Sequence, residues 1–170
     1  MTPDGSFAYV VNADDDNVSV IDTSTNLVTT TVTVGPDPLS VTITPDGSLA
    51  YVTHQNTYNV SIIDTSTNMV TTTVTVGTQP SGVAITPDGS LAYVVNRISN
   101  NVSVIDTSTN MVTTTVTVGD GPRGVAITPD GLFAYVTNQY SNNVSVIDTS
   151  SNTVIATVLV DSRPAGIAIK

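Results

Sequence analysis

Apolar and polar residues alternate with a period of two through most of this chain, the mark of half-buried strands rather than helices. Val41 and Ile43 flank Thr42, and the Thr44-Pro45-Asp46-Gly47 that follows predicts a tight turn. Proline presets φ at the first central position, aspartate tolerates the second, and glycine can take the left-handed conformation at the end. A second strand is predicted over Leu49–Thr53, and a variable polar loop separates it from a third over Val60–Ile63. Asp64-Thr65-Ser66-Thr67-Asn68 is rich in side chains that hydrogen-bond nearby backbone, so it predicts the next turn. A fourth strand, Met69–Val76, is closed by Gly77 and Pro80. No helical period occurs anywhere.

This pattern repeats, and the repeats fill almost the whole chain. Units 2–43, 44–85, 86–127 and 128–169 each open Thr-Pro-Asp-Gly and each carry Asn-Val-Ser-(Val/Ile)-Ile-Asp-Thr-Ser further on. Four short antiparallel strands per unit of this length describe a propeller blade. The expectation is an all-β fold: a single β-propeller domain, or half of one, built from four 42-residue, four-stranded antiparallel blades.

Tyr135-Val136-Thr137-Asn138, with Tyr9-Val10-Val11-Asn12, Tyr51-Val52-Thr53-His54 and Tyr93-Val94-Val95-Asn96, resembles the YVTN-type β-propeller repeat of surface-layer-like and other extracytoplasmic proteins. The Gly-Val-Ala-Ile-Thr-Pro-Asp-Gly and Val-Ser-Val-Ile-Asp-Thr segments match as well, so the resemblance covers residues 2 to 169. It implies a propeller, an extracellular or cell-surface location and more blades than four. It implies little about activity, because propellers host many unrelated ones. Some relatives catalyse reactions with metal or cofactor groups at the ring centre, and no such groups stand out in this sequence.

With the strands ordered from the propeller axis outwards, the Val-Ala-Ile strand is innermost and the Thr-rich strand outermost. The chain then begins just after an innermost strand and ends with one, Gly166-Ile167-Ala168-Ile169. Pairing of that C-terminal strand with blade 1 would complete four blades, within one chain or between neighbours. A closed ring of four needs blades splayed by about 90°, with side chains filling the wedge at interior density. The available fillers are mostly Val, Ile, Ala, Thr and Ser, and small faces suit a shallower angle and more blades. A homodimer completing an eight-bladed ring is therefore favoured over a closed four-bladed monomer, with a fragment or filament-like array as the third reading.

Charge narrows the partners. The net charge of −10 comes entirely from aspartate, mostly at repeat turns: Asp4, Asp46, Asp88, Asp130, Asp22, Asp64, Asp106 and Asp148. Arg97, Arg123, Arg163 and Lys170 are too few to neutralise a phosphate backbone, which argues against nucleic acid. No apolar run is long enough to span a bilayer, and Met1 runs straight into the first repeat without a signal peptide. Cysteine is absent, so there is neither a disulfide framework nor a thiolate metal site.

Comparing the units separates two faces. The Thr-Pro-Asp-Gly and Asp-Thr-Ser turns are nearly invariant and share one side of the disc, whereas the variable loops share the other. On that second side are Asp14, Asp15, Asp16, His54, Gln55, Tyr58, Arg97, Gln139 and Tyr140, joined from the inter-blade loops by Asp37, Gln79, Arg123 and Arg163. Loops on a rigid scaffold concentrate binding residues, and Tyr, Asn, Asp and Arg suit a glycan or a polar protein surface. His54 is the sole histidine and replaces the Asn of the other units, but it lacks Cys or Glu partners for a metal. Asp14 and Asp16 offer hard oxygens for a weak Ca²⁺ site, without the spacing or glycine of a known calcium loop. No cofactor is otherwise expected, and neither a Ser-His-Asp order nor a paired-carboxylate spacing points to an enzyme.

Asn17, Asn59, Asn101 and Asn143 each open an N-glycosylation sequon at the start of the third strand. The outer strand carries Thr29-Thr30-Thr31, Thr71-Thr72-Thr73 and Thr113-Thr114-Thr115, a β-forming rim with no charge to discourage edge pairing. Blade 4 has Val154–Leu159 there instead, a more apolar rim and a candidate contact patch. The reading is a non-catalytic extracellular structural or adhesive module that self-associates and offers a variable loop face. The alternative is a small-ligand or enzymatic propeller using the axial mouth.

Overall fold

A computed structural model describes all residues from Met1 to Lys170 as fifteen strands in four antiparallel sheets, with no helix. The first sheet has three strands, β1 (Phe7–Asn12), β2 (Asn17–Asp22) and β3 (Leu27–Thr33). The second holds β4 (Pro38–Ile43), β5 (Leu49–His54), β6 (Asn59–Asp64) and β7 (Met69–Thr75). The third holds β8 (Pro80–Ile85), β9 (Leu91–Asn96), β10 (Asn101–Asp106) and β11 (Met111–Thr117). The fourth holds β12 (Pro122–Ile127), β13 (Phe133–Asn138), β14 (Asn143–Asp148) and β15 (Thr153–Leu159). Each sheet is a meander, and the strands fall where the alternation places them.

The turns form as their residues dictate. Asp46 accepts the backbone N–H of Ser48 at 3.0 Å and the Thr44 hydroxyl at 2.5 Å, while Gly47 takes φ +77°. At the other hairpin Asp64 accepts the N–H groups of Ser66 and Thr67 at 2.9 Å, and Asn68 sits at φ 54°. Asparagine tolerates that left-handed region because its short side chain bonds locally. The two turns are tied together by Thr65, whose hydroxyl donates to the Gly47 carbonyl. All four blades repeat this bond, which places both invariant turns on one side.

Sheets pack face to face in chain order, closely along their innermost strands β4, β8 and β12 and only lightly along the outermost. That gradient is the wedge of a propeller, with the Val-Ala-Ile strand innermost as expected. Between the third and fourth strands of each blade the register slips by one residue, as at Ile62/Ile63. Such bulges increase the local twist.

Three separate apolar clusters fill the three gaps between sheets. In the gap between blades 3 and 4, Tyr93, Val95, Val102, Val104 and Val116 meet Ala134, Val136 and Ile147. One tyrosine per blade does most of the filling, and its hydroxyl donates to the turn asparagine of the next blade: Tyr9 to Asn68, Tyr51 to Asn110 and Tyr93 to Asn152, at 2.6–2.8 Å.

The expected pairing of Gly166–Ile169 with blade 1 does not occur within the chain. Blade 1 keeps three strands, and the tail leaves blade 4, where the Ala165 carbonyl accepts the Thr137 hydroxyl at 3.1 Å. Thr53 holds the Ser81 carbonyl in the same way at 2.6 Å, so the tail lies where the inner strand of a following blade would begin. The physical reason is that each blade sets the position of its successor, and the three junctions leave the ends apart. A closed four-bladed ring is thereby corrected to an open arc, with apolar residues such as Val10 and Val158 exposed at its ends.

Candidate functional site

The variable loops do share the side opposite the invariant turns. Each inter-blade loop bonds the loop between second and third strands: Gln55 N–H donates to Asp37 O, Arg97 N–H to Gln79 O and Gln139 N–H to Gly121 O, at 2.9–3.0 Å. Side chains add to the join. Asp16 accepts the Asp37 N–H at 3.0 Å, Asn100 the Gly121 N–H at 2.9 Å and Asn142 the Arg163 N–H at 2.9 Å. Asp37, Gln79, Gly121 and Arg163 all hold positive φ, a shared backbone kink that sequence comparison does not reveal.

Arg97 and Tyr140 form the most organised feature of this face. An Arg97 terminal nitrogen donates to the Tyr140 hydroxyl at 2.6 Å and to Gln139 Oε1 at 3.4 Å. The guanidinium carbon lies 5.5 Å from the Tyr140 ring centroid, in cation–π range. The ring lies over Gly121, where a Cβ would come within 2.4 Å of it. Gly121 is therefore part of the site although sequence reasoning passed over it; its departure from Asp37, Gln79 and Arg163 at the equivalent place was the available signal. Arg97 Nε and Gln79 Oε1 are buried without a hydrogen-bond partner.

The other expected site residues are dispersed. Asp14 and Asp15, on one loop, Tyr58 and Arg163 are exposed, and Gln55 is half-buried; Arg123, expected in an inter-blade loop, is exposed in strand β12 because the inner strand already begins at Pro122. Asp16 is occupied in its turn, with φ 54°. No cluster of three or more His, Asp or Glu side chains is assembled.

His54 is not a loop residue but the last residue of β5, and it is buried. Its Nε2 lies 2.8 Å from the Ser61 hydroxyl and its Nδ1 3.0 Å from the Pro36 carbonyl. Asn96 and Asn138 occupy the same place in blades 3 and 4 and donate to Ser103 and Ser145. The imidazole thus replaces an amide in a structural brace. Burial lowers its pKa below the model-compound value of 6.5, with the nearby Pro36 carbonyl pulling weakly the other way. Because the folded state favours the neutral ring, this contribution to stability is complete above about 6.5 and declines as pH falls through that value. Chemical denaturation at pH 8 and pH 5 will show a loss in the wild type that His54→Asn lacks; equal losses in both proteins would refute the assignment.

Sequon asparagines take part in the same brace. Asn17, Asn101 and Asn143 accept from Asn12, Asn96 and Asn138 at 2.7–2.8 Å, and all four sequon asparagines, Asn59 included, are half-buried. The motif therefore has a structural use in its own right.

The more voluminous clefts lie on the invariant side, among its turns. One of about 500 Å³ is lined by Thr86, Asp88, Ser90, Asp130 and Thr149, with Pro87 and Leu91 at its edge. Its carboxylates are already engaged: Asp88 accepts from Thr86 and Ser90, and Asp130 from Thr128 and Leu132.

Comparison with known proteins follows from this architecture. The family described as "Lactonase, 7-bladed beta-propeller" matches residues 64–166, more than half of the sequence. The chain belongs to that family. Among solved structures, this lactonase-family chain is similar to Kuenenia stuttgartiensis hydrazine synthase, with 34% identity and a TM-score of 0.90 over 94% of this chain and 47% of the other. It also superposes on a functionally unknown protein from Desulfotomaculum acetoxidans, at 22% identity and a TM-score of 0.88, over 100% of this chain and 58% of the other. The second likeness shows the fold alone. The lactonase-family chain spans about half the length of the structures it matches. A search of curated proteins gave no match.

Proposed function

We propose that this lactonase-family propeller chain is a non-catalytic binding module that acts outside the cell or on its surface and offers its variable loop face to a glycan or a polar protein surface. The observation that carries this reading is the Arg97–Tyr140 pair, an exposed aromatic ring packed against Gly121 with the guanidinium bonded to its hydroxyl and in cation–π range. Rigid aromatic groups with a polar edge suit sugar rings and polar surfaces at little entropic cost. The remaining ionisable groups are largely spent on structure, eight aspartates in turns and His54 in a brace. The Lys-poor, Thr- and Asn-rich composition, the YVTN resemblance and the sequons at Asn17, Asn59, Asn101 and Asn143 support an extracytoplasmic setting.

A glycan array will show selective binding by the wild type and at least a tenfold loss in Arg97→Ala and in Tyr140→Ala. Retained binding in both variants would remove this face from consideration. The family description favours one second reading, a lactone hydrolase using the axial mouth. Turnover of simple γ- or δ-lactones that survives Arg97→Ala would support it against the first.

A further inference from the structure

Arg97 carries a charge that nothing in the chain neutralises. Its backbone N–H is fixed on the Gln79 carbonyl at 2.9 Å, and its Nε is buried without a partner. At the tip, Nη2 donates to the Tyr140 hydroxyl at 2.6 Å and to Gln139 Oε1 at 3.4 Å, both of them neutral oxygens. The other terminal nitrogen, Nη1, makes no hydrogen bond and is not among the buried atoms, so its two N–H groups face solvent. The chain holds 14 acidic residues, yet no aspartate forms an ion pair with Arg97. Asp120, next to Gly121, is turned to Asn100, whose Nδ2 donates to it at 3.3 Å. A half-buried guanidinium without a counterion has lost part of its hydration and gained no charge in return, a deficit that an incoming anion removes.

Tyr140 places an apolar surface beside this charge. The ring packs against Gly121 and is still 57% exposed. The guanidinium is bonded to the hydroxyl, with its carbon 5.5 Å from the ring centroid, so the cation stands toward the hydroxyl end and leaves ring surface uncovered. The combination occurs at one junction. Ala13, Gln55 and Gln139 stand at the place of Arg97 in the other blades, and Asp14, Asn56 and Ile98 at the place of Tyr140. Only between blades 3 and 4 do a cation, an open ring and a glycine beneath it coincide.

We propose that this site takes an acidic sugar, a uronate residue whose ring lies on Tyr140 and whose carboxylate meets the free edge of Arg97; the inference rests on the reading of the loop face as a glycan-binding surface. The C–H face of a pyranose suits an aromatic ring. A carboxylate matches the planar donor edge of a guanidinium, and the bonds are charge-assisted. In a uronate the carboxyl group is attached directly to the sugar ring, so one residue of the ligand reaches both the ring and the cation, 5.5 Å apart. A neutral sugar would use Tyr140 alone and leave the charge of Arg97 as it is. The net charge of −10 repels long polyanions, which restricts the ligand to an acidic residue within a short or sparsely charged glycan.

Calorimetric titration near neutral pH with tetragalacturonate and with its methyl ester, which keeps the rings and removes the charges, will test this. The wild type will bind the acid at least about tenfold more tightly than the ester. Arg97→Gln will bring the acid down to the level of the ester and leave binding of the ester within about twofold, which also shows that the variant is folded. Tyr140→Ala will weaken both ligands. Equal affinity of the wild type for acid and ester, or a preference for the acid that survives Arg97→Gln, would overturn the proposal; loss of both ligands in Tyr140→Ala would in either case keep the loop face as a sugar site. No binding of either oligosaccharide would overturn the proposal as well, and the glycan array then decides separately whether the face binds another sugar.

Discussion

Replacing Tyr93 by alanine will lower the unfolding free energy by about 3–5 kcal/mol, the range for removing a large buried aromatic ring. The ring is completely buried in the wedge between blades 3 and 4, among valines too small to collapse into the space it leaves. Its hydroxyl also donates to Asn152 at 2.6 Å across the junction, so the substitution strands an acceptor as well as a cavity. Burial, together with the nearby Asp148 charge, pushes the phenol up to about 12, so the hydroxyl stays protonated and donating through the whole useful pH range. Tyr93→Phe isolates the hydrogen bond and will cost about 1 kcal/mol. Thermal unfolding of the three proteins reads both quantities, with a fall in Tm of roughly 6–20 °C for the alanine variant. If Tyr93→Ala proves as mild as Tyr93→Phe, the ring is not what fills the wedge.

Acid will unfold this protein steeply, and the turn aspartates will be the cause. Asp4, Asp22, Asp46, Asp64, Asp88, Asp106, Asp130 and Asp148 all have carboxyl pKa values held below the ordinary 3.8, chiefly by hydroxyl donors and then by backbone N–H groups. Asp4 is lowered to about 2. A depressed carboxyl means that the unfolded chain binds protons first as pH falls. The stabilisation is therefore complete above about 3.8 and is lost between there and about 2. That window is Asp4's; the other seven carboxyls are also held below 3.8, so their contributions too are lost only as pH falls below it, and the dependence on pH adds up where any one of them contributes little. Urea unfolding from pH 5 to pH 2.5 will show the decline. Asp46→Asn, which keeps an acceptor but cannot titrate, will flatten it by about one group's share. A stability that does not change over that range would show that these hydrogen bonds form equally in the unfolded chain.

Strands and turns were legible in the sequence because both are local. Alternation decides which side chains share a face, and Thr-Pro-Asp-Gly or Asp-Thr-Ser-Thr-Asn leaves the backbone few other conformations. Repetition extended this reading to the blade, to the order of its strands and to the two sides of the disc. His54 escaped because a lone histidine beside a loop has no periodic signature; its role depends on Ser61 and Pro36, brought together by the β5–β6 pairing and the inter-blade loop. The Arg97–Tyr140 pair was only half visible. Both residues stood out as departures from the repeat, but their contact spans two blades and needs the bare backbone of Gly121 beneath the ring.

The C-terminal strand separates the two levels most sharply. Its residues alone show that Gly166–Ile169 is an inner strand in pattern and that blade 1 lacks one. Whether those two pieces meet is decided by the angle accumulated over three junctions, and that angle depends on how Tyr9, Tyr51 and Tyr93 fill their wedges. The sequence by itself therefore determined the blade and its two faces, since hydrophobic period and turn chemistry act over a few residues. Only the tertiary structure decided that the arc stays open, because packing between blades sets the distance between its ends.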